Sequence, residues 1–182
     1  MLALPPLLAF SPRAEALTAR LITLDQLLER STYVVLGTAG ERRCVWEDLP
    51  SGRRIVTYTR VAVERAVAGA PGAEVLVRTL GGAVDHIGQA VSGEAQIFPG
   101  SRALLFLVQI NGAVVVTGMA QGHYPVVVDA KGTPRLVASP DVDMLVSRPG
   151  PTVSAHERLV GTPVEDAISL VKQLQKARDE NK

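Results

Sequence analysis

The chain's three histidines pose three different chemical questions. His156-Glu157-Arg158-Leu159-Val160 opens like the metal-gripping helix of zinc hydrolases, in which histidines at i and i+4 share one face. Val160 occupies the place of the second histidine, so the pair is incomplete. His86 follows Asp85 in a glycine-rich connection, and His123 follows Gln121-Gly122 after an expected strand. Were both connections to meet at one end of a barrel, Asp85, His86 and His123 would offer a carboxylate and two imidazoles to a divalent ion. That donor set suits a small metal-dependent enzyme or metal-binding protein. Loop histidines that simply face water are the commoner outcome of the same pattern.

Other chemistries find less support. No Gly-x-Ser-x-Gly elbow occurs, and no serine stands in a familiar relation to a histidine and an aspartate. Gly37-Thr38-Ala39-Gly40 and Gly81-Gly82 lack the spacing and the lysine of a phosphate loop. Asp141-Val142-Asp143 offers carboxylates without the rest of a calcium loop and reads as a solvated turn. Cys44 is the single cysteine, which excludes an intrachain disulfide, and reads as a small hydrophobe. Nucleic acid would need exposed aromatics beside a basic groove. Arg42, Arg43, Arg53, Arg54 and Arg60 gather near Trp46 and Tyr58, but Glu41, Glu47, Asp48 and Glu64 dilute them. With a net charge of +1, no basic excess exists to compensate phosphates, so a nucleic-acid partner is not expected.

These residues must be positioned by a chain of 182 residues, 47% hydrophobic and 20% charged, which is one domain's worth of core. Thr23-Leu24-Asp25-Gln26 has the capping-box form, and Leu24, Leu27 and Leu28 follow at helical spacing, so Thr23 to about Arg30 is a short amphipathic helix. From Tyr33 the text becomes valine-rich runs bounded by Gly, Pro, Asn and Asp, the mark of strands and turns. Tyr33 to Trp46 and Arg54 to Val67 form a long hairpin. In the second run Ile55, Thr57, Thr59, Val61 and Val63 share one face, while Val56, Tyr58, Arg60, Ala62 and Glu64 share the other. Glu74 to Leu80 alternates again. Gly81 to Gly100 is a longer connection with a short strand. Arg102 to Ile110 reads as a strand buried on both faces, and Asn111-Gly112 turns it into a return strand from Ala113 to Ala120. Tyr124 to Asp129 and Arg135 to Ala138 give a smaller hairpin. Clustered prolines then mark an irregular strap. Thr162-Pro163-Val164-Glu165 predicts a capped helix with an apolar stripe of Val164, Ile168 and Val171. The expected fold is mainly β: a small, five-stranded OB-like barrel with a short N-terminal helix and a C-terminal helix, because closure removes hazardous open edges.

The order of Ser31-Thr32-Tyr33-Val34-Val35-Leu36-Gly37, Tyr58-Thr59-Arg60-Val61-Ala62-Val63-Glu64, Val75-Leu76-Val77-Arg78-Thr79, Phe98-Pro99-Gly100-Ser101-Arg102-Ala103-Leu104-Leu105-Phe106-Leu107 and Gly118-Met119-Ala120-Gln121-Gly122 resembles an uncharacterised OB-like domain of exported bacterial proteins. It is distantly similar to the OB-folds of netrin-type modules and of tissue inhibitors of metalloproteinases. The resemblance spans about residues 20 to 128 and implies a fold and an exported setting. Those inhibitors act through a cysteine-led, disulfide-bound N-terminus that this chain lacks, so no inhibitory residue carries over.

Met1 to Phe10 is apolar and Ala14-Glu15-Ala16 has a small-x-small form, which predicts a secretory signal at 1–16. Residues 17–139 are then the barrel, 140–161 the strap and 162–182 the helix. Apolar runs stay short of a membrane-spanning helix. The sequence thus predicts an exported, periplasmic or extracellular, non-enzymatic module without a cofactor. Its partner is expected to be a protein or cell-envelope component, with regulation of a secreted protease as one form of that role. The expected partner-binding residues are Trp46, Arg54, Tyr58, Asp85 and His86, and the alternative is the metal site of Asp85, His86 and His123.

Overall fold

A computed structural model describes residues 19–142, 145–146 and 153–180, with main chain only at 19–20 and 145–146. The expected signal segment at 1–16 lies outside the described residues. The strands are β1 (Ala19–Arg20), β2 (Tyr33–Leu49), β3 (Gly52–Ala68), β4 (Glu74–Leu80), β5 (Gly82–Val84), β6 (Ile87–Gln89), β7 (Arg102–Ile110), β8 (Ala113–Val116), β9 (His123–Val128), β10 (Pro134–Leu136) and β11 (Leu145–Val146). The helices are α1 (Leu24–Arg30), α2 (Ala155–Leu159) and α3 (Val164–Glu180). The protein is mainly β, with a short helix near the start of the described chain and a longer one at its end.

Strand pairing runs β7–β2–β3–β4–β8 and returns from β8 to β7, so five strands hydrogen-bond in a ring. Every contact in the ring is antiparallel except β4 with β8. Side chains alternate across each strand, so the ring has two faces. Val35, Val61, Val75, Val77, Leu105 and Leu107 point inward, with Ala95 and Ile97 from the β6–β7 connection packed among them. Val34, Leu36, Leu104 and Phe106 point outward into a second core, built with Leu24, Leu27 and Leu28 of α1, Leu159 of α2 and Ala167, Ile168 and Val171 of α3. Arg102 to Ile110 is accordingly buried on both faces over its middle, from Ala103 to Leu107.

α1 carries its capping box as the sequence predicts: Gln26 N–H donates to Thr23 Oγ1 at 3.1 Å, and Thr23 N–H donates to Gln26 Oε1 at 3.2 Å. Three expectations are corrected. The return strand β8 stops at Val116, because Gly118 (φ 67°) and Met119 (φ 60°) turn left-handed into a 3₁₀ turn. The strap is not irregular throughout. Ser154-x-x-Glu157 caps α2 with a full box, in which Ser154 N–H donates to Glu157 Oε2 at 2.7 Å. Finally, Thr162 and Glu165 do not form the expected box on α3. The Thr162 hydroxyl donates to the Arg158 carbonyl at 3.2 Å, and the Glu165 carboxylate takes Arg65 Nη1 at 2.6 Å, tying α3 to β3.

Candidate functional site

The long hairpin β2–β3 decides where the predicted partner-binding residues go. Register places Trp46 opposite Ile55, Glu47 opposite Arg54 and Arg43 opposite Tyr58. Directly opposed residues share a face and successive ones do not. Trp46 therefore lies on the face of Ile55 and Thr57, whereas Arg54 and Tyr58 lie on the reverse. Trp46 and the pair Arg54 and Tyr58 thus lie on two different surfaces. On the first face the β5–β6 hairpin closes over β3. Gly81 N–H donates to the Ile55 carbonyl at 2.8 Å, and Ile55 N–H donates to Gln89 Oε1 at 2.8 Å. Only glycine fits at 82: its φ is +126°, and a Cβ there would stand 2.5 Å from Thr57 Oγ1 and 2.7 Å from Cys44 Sγ. Asp85, at φ 53°, and His86 form the exposed tip of this hairpin. At the far end of the same face the Arg53 guanidinium stacks on Trp46 at 5.3 Å, and Arg42 stacks on Phe98 at 5.6 Å.

Cys44 is half-buried here, with Sγ 3.2 Å from Thr57 Oγ1. Burial works against its thiolate. Hydrogen bonds with Thr57 and with the Ala83 main chain, and the Arg42 charge, prevail and hold the thiol below its ordinary value.

The reverse face of β2, β3 and β4 carries a shallow groove of about 360 Å³ floored by Val45, Tyr58 and Leu76 and rimmed by Glu41, Arg43 and Arg60. A second hollow of about 460 Å³ shares Tyr58 and Leu76 and runs on past Arg78 to Asn111-Gly112. Leu76 is 49% exposed, a large apolar side chain between Glu74 and Arg78 on an otherwise polar face. Tyr58 is held in place: its hydroxyl donates to Glu47 Oε2 at 2.8 Å, while Arg78 Nη1 takes Glu47 Oε1 at 2.7 Å. Burial, and then the Glu47 carboxylate, push the Tyr58 phenol up, so it stays a neutral donor. Arg60 is likewise fixed by Glu74 at 2.8 Å. The groove thus presents an ordered aromatic ring and an exposed leucine. Sequence reasoning singled out Tyr58 and missed Leu76, whose signal was available: one apolar residue on the charged side of an alternating strand.

A comparison with family models, curated proteins and solved structures found no match. The geometry therefore carries the reading alone.

A different kind of group sits at the open end of the ring. Glu94 is 8% exposed and helps line a cavity of about 140 Å³ with Arg42, Thr57, Thr79 and Gln89. Burial dominates and pushes its carboxyl up to about 7, although main-chain N–H groups of Leu80 and Ala95 partly oppose the shift. Beside it, Gln96 is pinned to Asp141 through its N–H at 3.1 Å and its Nε2 at 2.8 Å. Ala95 and Ile97 between them plug the inner core. Nothing in the sequence marked Glu94, one of two acids in a Gly-rich connection.

His123 is only 2% exposed, on β9 in a small cavity it shares with Ile22, Ser139 and Ala155 at the start of α2. Its Nδ1 lies 3.0 Å from Ser139 Oγ, which in turn lies 3.5 Å from Asp141 Oδ2. Burial drives the imidazole down to about 4, so it is neutral, while Asp141 pulls weakly the other way. The serine stands between histidine and acid and is itself buried, so this chain of contacts is not a nucleophile's triad. Asp85 and His86 occupy the exposed β5–β6 turn and do not join His123 in one site. Among the described residues no group of three or more His, Cys, Asp and Glu side chains is placed to hold a metal ion. Among those residues, too, no helix is long and apolar enough to cross a membrane.

Proposed function

We propose that this chain is an exported, non-enzymatic OB-like barrel that binds a protein or cell-envelope partner on the outer face of β2, β3 and β4. The OB-like reading is supported by the ring order: counting only the ring strands along the chain, neighbours run first–second–third–fifth–fourth and back to first, with the third–fifth pair parallel. The binding reading is carried by the groove over Tyr58 and Leu76. A tyrosine already fixed by its hydrogen bond loses little side-chain entropy on binding, and tyrosines are enriched among the residues that dominate interface energies, while the exposed leucine beside it adds apolar area to cover. Arg54 lies on the same face, opposite Glu47, and extends it toward the hairpin tip. The cheapest partner consistent with this surface is a polypeptide presenting an apolar side chain flanked by charge, since Glu41 and Arg43 rim the floor. Export by the 1–16 segment completes the proposal, and N-terminal sequencing of the protein recovered outside the cytoplasm checks that part.

The decisive experiment places a photo-crosslinking residue at Leu76 and, as a control, at Val128, which is 67% exposed on β9. Crosslinking is performed in the native envelope fraction. A discrete adduct from Leu76, abolished by Tyr58→Ala and absent at Val128, is expected. Equal labelling at both positions would refute the assignment of the face.

A further inference from the structure

The hairpin β2–β3 outruns its neighbours. β2 pairs with β7 only from Tyr33 to Thr38, and two further bonds, Ala39 N–H to the Ser101 carbonyl and Gly100 N–H to the Ala39 carbonyl, end that contact. From Arg42 to Leu49 β2 is paired on one side, with β3. The phase of that pairing follows from Ile55, whose N–H and carbonyl both point away from β2, to Gln89 and Gly81. Trp46, opposite Ile55, must then point its own main chain away from β3. By alternation Arg42, Cys44 and Asp48 do the same. Among the described residues no main-chain partner meets these four groups from the outer side, which leaves an open edge.

An open edge templates another strand, and proteins usually blunt it with charge. This edge reads Glu41-Arg42-Arg43-Cys44-Val45-Trp46-Glu47-Asp48, basic near one end and acidic at the other. In an antiparallel edge-to-edge pair, residues whose main chains point outward must face each other. Arg42 of one copy can then face Asp48 of a second, and Cys44 can face Trp46. That register sets Arg43 against Glu47 on the opposite face and Val45 against itself on a two-fold axis. A slip of two residues one way sets Glu41 against Glu47, and a slip the other way sets Val45 against Glu47, losing both charge matches. Like charges opposed across strands destabilise and unlike charges stabilise. An edge protected against its own kind would show the reverse arrangement.

We infer that β2 pairs with β2 of a second copy of this chain, giving a two-fold dimer with Val45 on its axis. The inference goes beyond the proposed partner face, and it makes that face larger. Val45 and Arg43 also line the Tyr58 groove, so the axis would join two grooves end to end.

The test uses the full chain. Val45→Cys is made in a Cys44→Ser background and oxidised, with Val128→Cys in the same background as control. Opposed residues in a non-hydrogen-bonded antiparallel pair stand about 4.5 Å apart at Cα, within disulfide reach. A covalent dimer of twice 19.3 kDa from Val45→Cys, and none from Val128→Cys, is expected. Sedimentation of the unmodified protein should show the same dimer, with Arg43→Glu weakening it at least tenfold and Leu76→Asp leaving it intact. A monomer in the tens of micromolar overturns the inference, including the case in which the edge instead captures a different polypeptide. So does a dimer that Val45→Cys fails to lock while its thiol remains titratable. Leu76 crosslinking is read separately, so loss of either result leaves the other interpretable.

Discussion

Glu94→Gln should make the protein more stable, and only above acid pH. The carboxyl of Glu94 ordinarily titrates near 4.5 and is raised by burial to about 7 in the fold. Between those values the folded chain holds a proton that the unfolded chain has released, so stability falls as pH rises across that window and stays low above it. At about 1.36 kcal/mol per pH unit, moving from 4.5 to about 7 corresponds to about 3 kcal/mol, fully expressed near pH 8. Glutamine keeps a carbonyl to accept the N–H groups of Leu80 and Ala95 but cannot ionise. Urea unfolding at pH 8 should therefore show a midpoint raised by roughly 1–3 M, given slopes of about 1–3 kcal/mol per M. At pH 4.5 the two proteins should unfold together. A gain of equal size at both pH values would mean that packing, not ionisation, drives the effect. A loss at pH 8 would mean that the Glu94 carboxylate is stabilised where the burial argument says it is strained. Either result refutes the reasoning.

Three further outcomes follow from single groups. His123, lowered to about 4 from 6.5, is neutral when folded while the unfolded imidazole takes a proton, so stability should fall as pH drops from 6.5 to 4; a stability profile of His123→Asn should lack that slope. The Thr59 hydroxyl is fully buried without a partner among the described residues, whereas that of Thr57 donates to the Gly81 carbonyl at 2.7 Å. Thr59→Val should raise stability by about 1 kcal/mol and Thr57→Val should lower it by a similar amount, a sign difference that denaturant curves resolve. Gly82→Ala combines a forbidden φ with contacts to Thr57 and Cys44, and should cost about 2–4 kcal/mol, visible as loosened amide-exchange protection at Ile55 and Gly81.

Strand positions were legible because alternation is a strong signal where one face is buried. Ile55, Thr57, Thr59 and Val61 fall on the inner side of β3 and Tyr58, Arg60 and Glu64 on the outer, as the period of two requires. The same period could have separated Trp46 from Tyr58, but hairpin register must be known before residues on two strands can be assigned one face, and register depends on the Leu49–Gly52 turn. Ser154-Ala155-His156-Glu157 was a capping box in plain view, obscured by the prolines upstream of it. Glu94 was illegible for a different reason. Its burial is imposed by Ala95 and Ile97 entering the inner core, an event of tertiary packing with no local pattern.

The two cores explain why the exposed face lies where it does. α1, α2 and α3 cover the outward side chains of β2 and β7 along the Val34, Leu36, Leu104 and Phe106 row, and α3 reaches β3 only near Val67. Apart from buried Val56, the rest of β3 and all of β4 leave their outer side chains exposed or half-exposed, which is why β4 alternates exposed Glu74 and Leu76 with buried Val75 and Val77 while β7 is buried throughout its middle. A sheet face left open by its own helices must be polar to stay soluble, and Glu47, Arg60, Glu74 and Arg78 meet that demand by pairing among themselves. Leu76 meets no such demand. Glu47, Arg60, Glu74 and Arg78 are already paired around one exposed leucine and one tethered tyrosine, so a partner can cover the apolar centre without stripping those four charges of their counterions. Arg42, Arg43 and Asp48 of β2 make no ion pair among the described residues and stand along its open edge, where a second strand would supply what the fold does not.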